Sequence, residues 1–321
     1  MNKEQVGKGS ILGALVGDAA GATLEFSSGT PDRAQVKQAM AMIGGGYWRT
    51  APGQITDDGE MALCLMHALV GEDSFSIERV AQNYLRWYQS MPFDIGRTTS
   101  TGLSGGLRQP EGLIHRGMWK AAEQYNRGSK ANGGLMRIAP LGVWGWRLSE
   151  DELVKAVCQD NRLTHPHPTC QHSSAVYCVA IRHLMHYPQD SEGAFKTAKD
   201  WATRLANSEV QEWISLAENN EDVGYTPSIG FAKYGFVHAF RHLKNETSYI
   251  NVIFETLMGG GDTDTNACIV GGLVGAYHGE EGIPTPMKEA IFHCDTRRGR
   301  QRPEFFQTRV QLPMLLDRIV E

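Results

Sequence analysis

The chain has 321 residues, of which 41% are hydrophobic and 21% are charged, and its formal net charge is −5. This length permits one large domain or two, and it is sufficient to bury a substantial core. The negative net charge argues against a general nucleic-acid-binding protein, which normally carries a basic face. Because no Pro/Ser-rich linker, charge block or low-complexity stretch divides the sequence, we predict a single domain over residues 1–321.

The apolar segment 11–22 is too short, and too interrupted by glycine and aspartate, to be a membrane helix or a convincing signal peptide. The six cysteines lie mostly in apolar segments and form no CxxC pair, so we predict reduced core thiols and not a disulfide framework. Both observations favour a cytoplasmic protein with no membrane partner. The cysteines are Cys64, Cys158, Cys170, Cys178, Cys268 and Cys294.

Helical patterns dominate the chain, and no convincing set of alternating strands is present. Residues 76–89 repeat apolar side chains every three or four positions, and Ser149 with Glu152 forms a capping box that opens another helix. A last helix is predicted with Pro313 in its first turn, where proline is tolerated. We therefore predict an all-α fold with functional loops between helices. Further helices are predicted over 173–187, 193–206, 208–218, 230–243, 248–258 and 284–294.

Two predicted central helices carry glycine at every fourth position. Each glycine lowers helix propensity by roughly 1 kcal/mol relative to alanine, so a packing reason is expected. Ridges of small residues let two helix backbones approach closely, and such a pair could bring loops from opposite ends of the chain to one place. The glycines are Gly13, Gly17 and Gly21 in the first segment, and Gly271, Gly275 and Gly279 in the second.

Two acidic clusters, at 56–58 and 262–265, each precede an apolar run. Their four aspartates would repel one another in a partly desolvated pocket unless cations neutralised them. Carboxylates and hydroxyls without nearby Cys or His suit Mg²⁺ or Mn²⁺ better than Zn²⁺. Two clusters indicate two ions, because shared aspartates hold binuclear metals about 3.5–4 Å apart. The clusters are Thr56-Asp57-Asp58 and Asp262-Thr263-Asp264-Thr265.

Other interpretations of these clusters are less favourable. Either one alone could be an acidic helix N-cap, since Asp and Thr favour first turns facing the positive end of the helix dipole. A calcium loop starting at Asp262 is excluded, because Ala267 and Leu273 stand where its glycine and glutamate are required. A zinc site in the His- and Cys-containing segment 165–172 is disfavoured by its two prolines and its unpaired ligand spacing.

Six sequence blocks, in order, resemble the ADP-ribosylglycohydrolase family, which includes the dinitrogenase reductase-activating glycohydrolase and the ADP-ribosylarginine hydrolases. The blocks span nearly the whole chain, and the pairing of TDD with GGDTDT is the specific part of the resemblance. It implies an all-helical fold with a binuclear Mg²⁺ or Mn²⁺ centre in a cleft. The blocks are ILGALVGDAAGATLEF (11–26), GQITDDGEMAL (53–63), DIGRTTSTGL (94–103), NGGLMRIAPLG (132–142), LTHPHP (163–168) and GGGDTDTNACIVGGLVGAYHG (259–279).

The resemblance implies catalytic roles for Glu25, Asp57, Asp58 and Asp264. Glu25 matches an acidic residue that some family members use to position or activate a water or a substrate group. Asp264 is the residue expected to serve both ions. Where many relatives read TDDT, this chain has Gly59, and the effect on metal binding is expected to be small. The implied metal ligands are Thr56, Asp57, Asp58, Asp262, Asp264 and Thr265.

The block NGGLMR resembles the family's glycine-bearing loop at the diphosphate and ribose, where exposed backbone N–H groups bind an anion. Arg137 either pairs with phosphate or forms a structural ion pair. His165 corresponds to a ligand-contacting residue near the ribose or base. Asp94, Gly96 and Thr98 match a further block, for which a solvated loop is the simplest interpretation. The implied substrate-binding residues are Asn132, Gly133, Gly134, Met136 and His165.

The implied activity is metal-dependent hydrolysis that removes ADP-ribose from modified protein side chains, first of all from arginine. Because N-glycosidic cleavage passes through an oxocarbenium-like state, the enzyme must orient the ribose and deliver water. Two ions would do both, while Glu25 or a ligand aspartate manages the proton. The expected partners are an ADP-ribosylated protein and ADP-ribose, with an ADP-ribosylating toxin or its target as a further candidate. The alternatives are an immunity or regulatory protein that binds ADP-ribose or a toxin by occlusion, and a metal-dependent phosphohydrolase.

Overall fold

The computed structural model describes residues 1–27 and 29–321, and within them the chain folds into 16 α-helices with no β-strand, as predicted. The helices are α1 (Lys3–Gly21), α2 (Arg33–Met40), α3 (Asp57–Leu69), α4 (Ile77–Gln89), α5 (Arg97–Ser104), α6 (Ile114–Tyr125), α7 (Ala139–Trp144), α8 (Glu150–Arg162), α9 (Pro168–His186), α10 (Ser191–Arg204), α11 (Ser208–Glu218), α12 (Ala232–Lys244), α13 (Tyr249–Met258), α14 (Thr263–His278), α15 (Thr285–Phe292) and α16 (Thr308–Arg318). None of the described helices is long and apolar enough to span a bilayer. All six cysteines are free thiols.

Most predicted helices are confirmed to within a few residues, including the capping box between Ser149 and Glu152 at the start of α8. The prediction for Pro313 is wrong. It lies inside α16, where proline removes one backbone hydrogen bond, and not in the first turn. The helix begins earlier because Thr308 is fixed there, with its hydroxyl donating to the carbonyl of Ile291 at 2.7 Å. Helices α2, α3, α5, α6 and α7 were not predicted.

Helices α1 and α14 pack backbone to backbone along the glycines predicted to form ridges. The register is antiparallel, so residue numbers rise in one helix as they fall in the other. A Cβ atom added at Gly9, Gly13, Gly17 or Gly21 of α1 would overlap the backbone of α14 or of Gly279 at its end. Gly279 is an exception to the predicted ridge, because it ends α14 with a positive φ of 70°. The facing positions are Gly9 with Gly275, Gly13 with Gly271, Gly17 with Ala267 and Gly21 with Thr263 and Asp264.

Buried tyrosines reinforce this helix pair. Tyr249 donates its hydroxyl hydrogen to the carbonyl of Gly13, and Tyr177 donates to that of Ile269, both at 2.7 Å. At the end of the pair, the hydroxyl of Thr263 donates to the carbonyl of Gly21 at 2.8 Å. The start of α14 is therefore held against the end of α1.

A buried ion pair positions α3 from the other side. Glu60, in the first turn of α3, accepts hydrogen bonds from Arg302 at 2.8 Å and from the indole of Trp87 at 2.7 Å. Arg302 also donates to the hydroxyl of Ser90 at 2.7 Å. A C-terminal segment and the end of α4 thus fix the helix that begins at the first acidic cluster.

Gly13→Ala is expected to lower the free energy of unfolding by about 2–3 kcal/mol, because the methyl group would overlap the carbonyl of Gly271. This loss opposes the gain of roughly 1 kcal/mol that alanine brings to an unconstrained helix. Denaturant unfolding measures the difference. Gly128→Ala is the matched control, since a Cβ there meets open space, and we expect a change within about 0.5 kcal/mol. Equal stability of the two variants would contradict the proposed role of the glycine contact.

Candidate active site

The two acidic clusters lie at the N-termini of α3 and α14, but they do not act as helix caps. Thr56 and Asp262 occupy the two N-cap positions, and neither side chain makes a capping hydrogen bond. Thr56 instead donates its hydroxyl hydrogen to Asp18 on α1, at 2.8 Å. The simple capping interpretation therefore does not explain why these side chains are present.

Asp18, Asp58 and Asp264 form one group, in which one carboxylate oxygen from each lies within 4.8 Å of the others. All three are buried. The hydroxyls of Thr56 and Thr265 approach the same Asp58 oxygen, Oδ2, at 3.2 and 3.3 Å. The other oxygen of Asp58, Oδ1, is buried and has no hydrogen-bond partner among residues 1–27 and 29–321. Residues more than 200 positions apart therefore meet, as predicted, and one buried carboxylate oxygen among them is left without a hydrogen bond in the described residues.

Glu25, Asp262 and Asp264 form a second group within the same 4.8 Å limit, so Asp264 belongs to both groups. Neighbouring donors hold two of these carboxylates in place. The indole N–H of Trp48 donates to Glu25 at 2.6 Å, and the side-chain amide of Asn132 donates to Asp262 at 2.8 Å. Neighbouring side chains thus orient Glu25 and Asp262, and the backbone N–H of Thr265 donates to Asp264 at 2.9 Å.

Burial makes ionisation of these carboxyl groups unfavourable. It raises the pKa of Asp57 to about 7 and that of Asp18 to about 8, and neighbouring carboxylates add to the increase. The pKa values of Asp58 and Asp264 lie well above the usual range for the same reasons. A set of buried oxygen donors that cannot all be ionised without cations fits hard divalent ions such as Mg²⁺ or Mn²⁺.

A cleft of about 220 Å³ opens beside the two groups. Asp57, Asp262, Asp264 and Thr265 form part of its wall, whereas Thr56 and Asp58 are buried and do not line it. Four of the five predicted substrate residues line the cleft. They are Asn132, Gly133, Met136 and His165. The fifth, Gly134, packs against the side chain of Asn161 outside the cleft wall.

The glycine-bearing loop is supported by a buried ion pair. Arg137 is 0% exposed, donates from Nε to Asp160 at 3.2 Å and donates from Nη1 to the carbonyl of Gly133 at 3.3 Å. Tyr84 donates to the other oxygen of Asp160 at 2.8 Å. Of the two roles considered for Arg137, phosphate binding and a structural ion pair, the structure shows the ion pair. A β-bridge joins the same loop to the segment before α12, with Asn132 N–H donating to Gly230 at 2.9 Å.

His165 enters the cleft as a neutral imidazole. Burial, together with the charge of Arg137, lowers its pKa to about 3. The side chains of the zinc site that the sequence disfavours do not converge, because each contacts a different neighbour. His167 accepts from the N–H of Thr169 at 3.1 Å, Cys170 donates to the carbonyl of Ala131 at 3.6 Å, and His172 lies 3.3 Å from the amide of Asn207.

Two carboxylates of the site were missed or misjudged from the sequence. Asp18 was not singled out, although an aspartate inside an apolar helix is itself a signal, because an unpaired buried charge is costly. Asp94 was assigned to a solvated loop, but it lines the cleft, and burial raises its pKa to about 10. The structure also explains the glycine at position 59. The N–H of Gly59 donates to Asp18 at 2.9 Å, and a Cβ at this position would lie 2.7 Å from the same carboxylate.

Asp58→Asn is expected to raise the melting temperature of the EDTA-treated protein by about 2–5 °C, because it removes one buried charge from a repelling group. Mg²⁺ should stabilise the unsubstituted protein and not the variant. Differential scanning calorimetry with and without Mg²⁺ checks both statements, and Asp73→Asn, at an exposed position, is the control. Equal Mg²⁺-induced shifts in protein and variant would exclude Asp58 as a ligand.

Comparisons with known proteins identify the family and the fold. Residues 2–313 match the ADP-ribosylglycohydrolase family. The chain is 32% identical over 309 residues to a protein of Acanthamoeba polyphaga mimivirus named for a candidate ADP-ribosyl glycohydrolase activity, covering 89% of this chain and 91% of that protein. It is 28% identical to an ADP-ribosylarginine hydrolase of Pseudomonas putida, and the matched region covers 88% of this chain and 73% of that protein. The solved structure of an ADP-ribosylglycohydrolase-related protein complex contains a chain with the same fold, with a TM-score of 0.73 and 23% identity. The match covers 100% of this chain and 99% of that chain. The chain therefore belongs to the ADP-ribosylglycohydrolase family, and the protein is a glycohydrolase.

Proposed function

We propose that this enzyme removes ADP-ribose from arginine side chains of modified proteins, in a reaction that depends on two divalent cations. The observation that carries the proposal is the meeting of two carboxylate groups, with Asp264 in common, at a cleft whose wall includes the NGG loop. An arginine linkage is supported by the similarity to the Pseudomonas hydrolase, whose name states that substrate. ADP-ribosyl-serine is the principal competing linkage.

The ligands proposed for the two ions are the residues implied by the family resemblance. The unpartnered Oδ1 of Asp58 and the shared position of Asp264 support this assignment. Asp18 is proposed as a positioning residue, since it accepts from Thr56 and Gly59. Mg²⁺ is the proposed metal, and the all-oxygen donor set also fits Mn²⁺. Bound ions would supply Lewis acidity next to the bond that is cleaved. The proposed ligands are Thr56, Asp57, Asp58, Asp262, Asp264 and Thr265.

Glu25 is proposed as the group that handles the proton. It lines the cleft, and the indole of Trp48 holds one of its oxygens, so the other can face the reacting atoms. Hydrolysis consumes one water: the C–N bond to the anomeric carbon breaks, the water oxygen bonds to that carbon, and a proton reaches the departing nitrogen. Glu25 would accept the proton from water and return it to the leaving group.

The part of the cleft wall that includes the NGG loop and His165 is proposed to bind the diphosphate and ribose. Asn132 and Gly133 lie in a short 3₁₀ turn that lines the cleft. Because the N–H of Asn132 already donates to Gly230, the N–H of Gly133 is the donor proposed for the anion. The neutral imidazole of His165 can exchange hydrogen bonds with a ribose hydroxyl without adding charge. Gly134 is proposed to act through shape alone, because Asn161 fills the space beside it.

Incubation with Mg²⁺ and a peptide carrying one ADP-ribosyl-arginine is expected to release intact ADP-ribose, and EDTA should stop the release. Asp264→Asn and Glu25→Gln are expected to lower kcat at least about 100-fold, while Glu25→Gln keeps Mg²⁺-induced thermal stabilisation. Chromatography of the released nucleotide provides the measurement. The serine-linked peptide serves as the comparison substrate.

Each alternative has its own outcome in this assay. Release of AMP would indicate a phosphohydrolase. Tight binding of ADP-ribose that persists in EDTA, without turnover of any substrate, would indicate an occluding binding protein. Release from the serine-linked peptide alone would overturn the arginine assignment and keep the glycohydrolase.

Gly133→Ala is expected to weaken ADP-ribose binding by about tenfold or more, since overpacking typically costs 1 kcal/mol or more. A Cβ at this position would lie 2.9 Å from Cε1 of His165 and 3.0 Å from the hydroxyl of Thr99, so both cleft-lining side chains must move. Isothermal titration with ADP-ribose and Mg²⁺ measures the effect. Gly128→Ala again serves as the control, and unchanged affinity in Gly133→Ala would remove this loop from the binding site.

A further inference from the structure

A surface groove begins where the cleft ends. Asp94 lines the cleft, and the residue before it, Phe93, lines the groove. The ring of Phe93 lies 5.7 Å from that of Trp48, whose indole N–H holds Glu25. Two aromatic side chains therefore connect the proposed proton-handling group to a second surface.

The main chain of this groove is fixed. One side is segment 91–93 and the other is segment 299–302, and the depression continues beyond Gln301 and Arg302 along segment 303–310. Arg302 is buried against Glu60, and the backbone N–H of Arg300 donates to the side chain of Gln54 at 2.9 Å. The groove is thus preformed, whereas the side chains on its rim are free to contact a partner.

The rim of the groove is basic in a protein of net charge −5. Arg300 and Arg309 are exposed, and neither forms an ion pair in the part of the chain that the structure describes. The guanidinium carbon of Arg300 lies 5.5 Å from the ring centroid of Phe93. Two carboxylates also line the groove. Asp295 is already paired with Arg297, so Glu304 is the negative charge that remains to offset the two arginines. Exposed Met91, aromatic and arginine side chains together are the composition of interface centres.

We propose that this groove binds the polypeptide that carries the ADP-ribosylated side chain, and that it fits a segment with acidic residues next to the modified position. The inference rests on the proposed function, because it concerns how the same enzyme reaches its substrate. Free guanidinium groups attract carboxylates, and the Trp48 and Phe93 rings provide an apolar path from the groove to the cleft. The arginines act on binding of the macromolecule and do not take part in bond cleavage.

The test compares flanking sequences on one linkage. Three peptides carry a single ADP-ribosyl-arginine, flanked by Asp/Glu, by Gly/Ser or by Lys residues. The rates at which the enzyme hydrolyses them are compared with its rate on free ADP-ribosyl-arginine. The double variant Arg300→Glu/Arg309→Glu is expected to lower kcat/KM about tenfold for the acidic peptide, through KM, with no change for free ADP-ribosyl-arginine. High salt should reduce the preference of the unsubstituted enzyme for the acidic peptide.

The matched control is Lys120→Glu/Lys155→Glu, which changes the net charge equally at exposed positions that line neither surface. Equal effects of the two double variants, or no preference among the three peptides, would overturn the groove assignment while the proposed function stands. A preference for an ADP-ribosylated oligonucleotide, lost in the arginine variant, would also overturn it in favour of a nucleic acid. If free ADP-ribosyl-arginine is not cleaved, the proposed function fails. The same three flanking sequences around ADP-ribosyl-serine then test separately whether the groove binds acidic peptides.

Discussion

The backbone contact between α1 and α14 is the constraint on which the site depends. Asp18 and Asp264 are 246 positions apart, and their carboxylates meet because glycines let the two helices lie in direct contact. The contact runs up to the first turn of α14, where Gly21 faces Thr263. A side chain in the contact would separate the helices, and the separation would be transmitted to the carboxylates one turn away. A packing feature with no chemistry of its own therefore sets the geometry of the proposed metal centre.

The buried carboxylates discussed above fall into two classes, those that form an ion pair with an arginine and those that do not. Glu60 is paired with Arg302, and Asp160 with Arg137, and each pair has additional hydrogen bonds from an aromatic side chain. Such complete pairing satisfies both charges and lets these residues position α3 and the substrate loop. The aspartates at the cleft form no ion pair in the part of the chain that the structure describes, although Arg97 lines the same cleft. The lack of a direct ion pair, more than the acidity itself, distinguishes the candidate site from the scaffold and is the basis for proposing that cations bind there.

The sequence predicted those parts of the structure that depend on local pattern or on paired motifs. Amphipathic periods located most helices, and two clusters of oxygen donors predicted the convergence that the structure confirms. Asp18 was missed because a single aspartate in an apolar helix forms no cluster in the sequence. The partner of Arg137 stands 23 positions away on α8, so no local pattern could choose between phosphate binding and a structural pair. Tertiary contacts, which periodicity does not encode, decided both cases.

Met91 shows how the rim of the site differs from its interior. It follows the end of α4 with φ of 52°, at a position where helices usually place glycine because other residues cost about 1 kcal/mol there. Burial does not repay this cost, since the side chain is 85% exposed. Its neighbour Phe93 contacts Trp48 and Arg300, so the same short segment connects cleft and groove. In the groove proposed above, contact with the substrate polypeptide would cover this exposed apolar side chain.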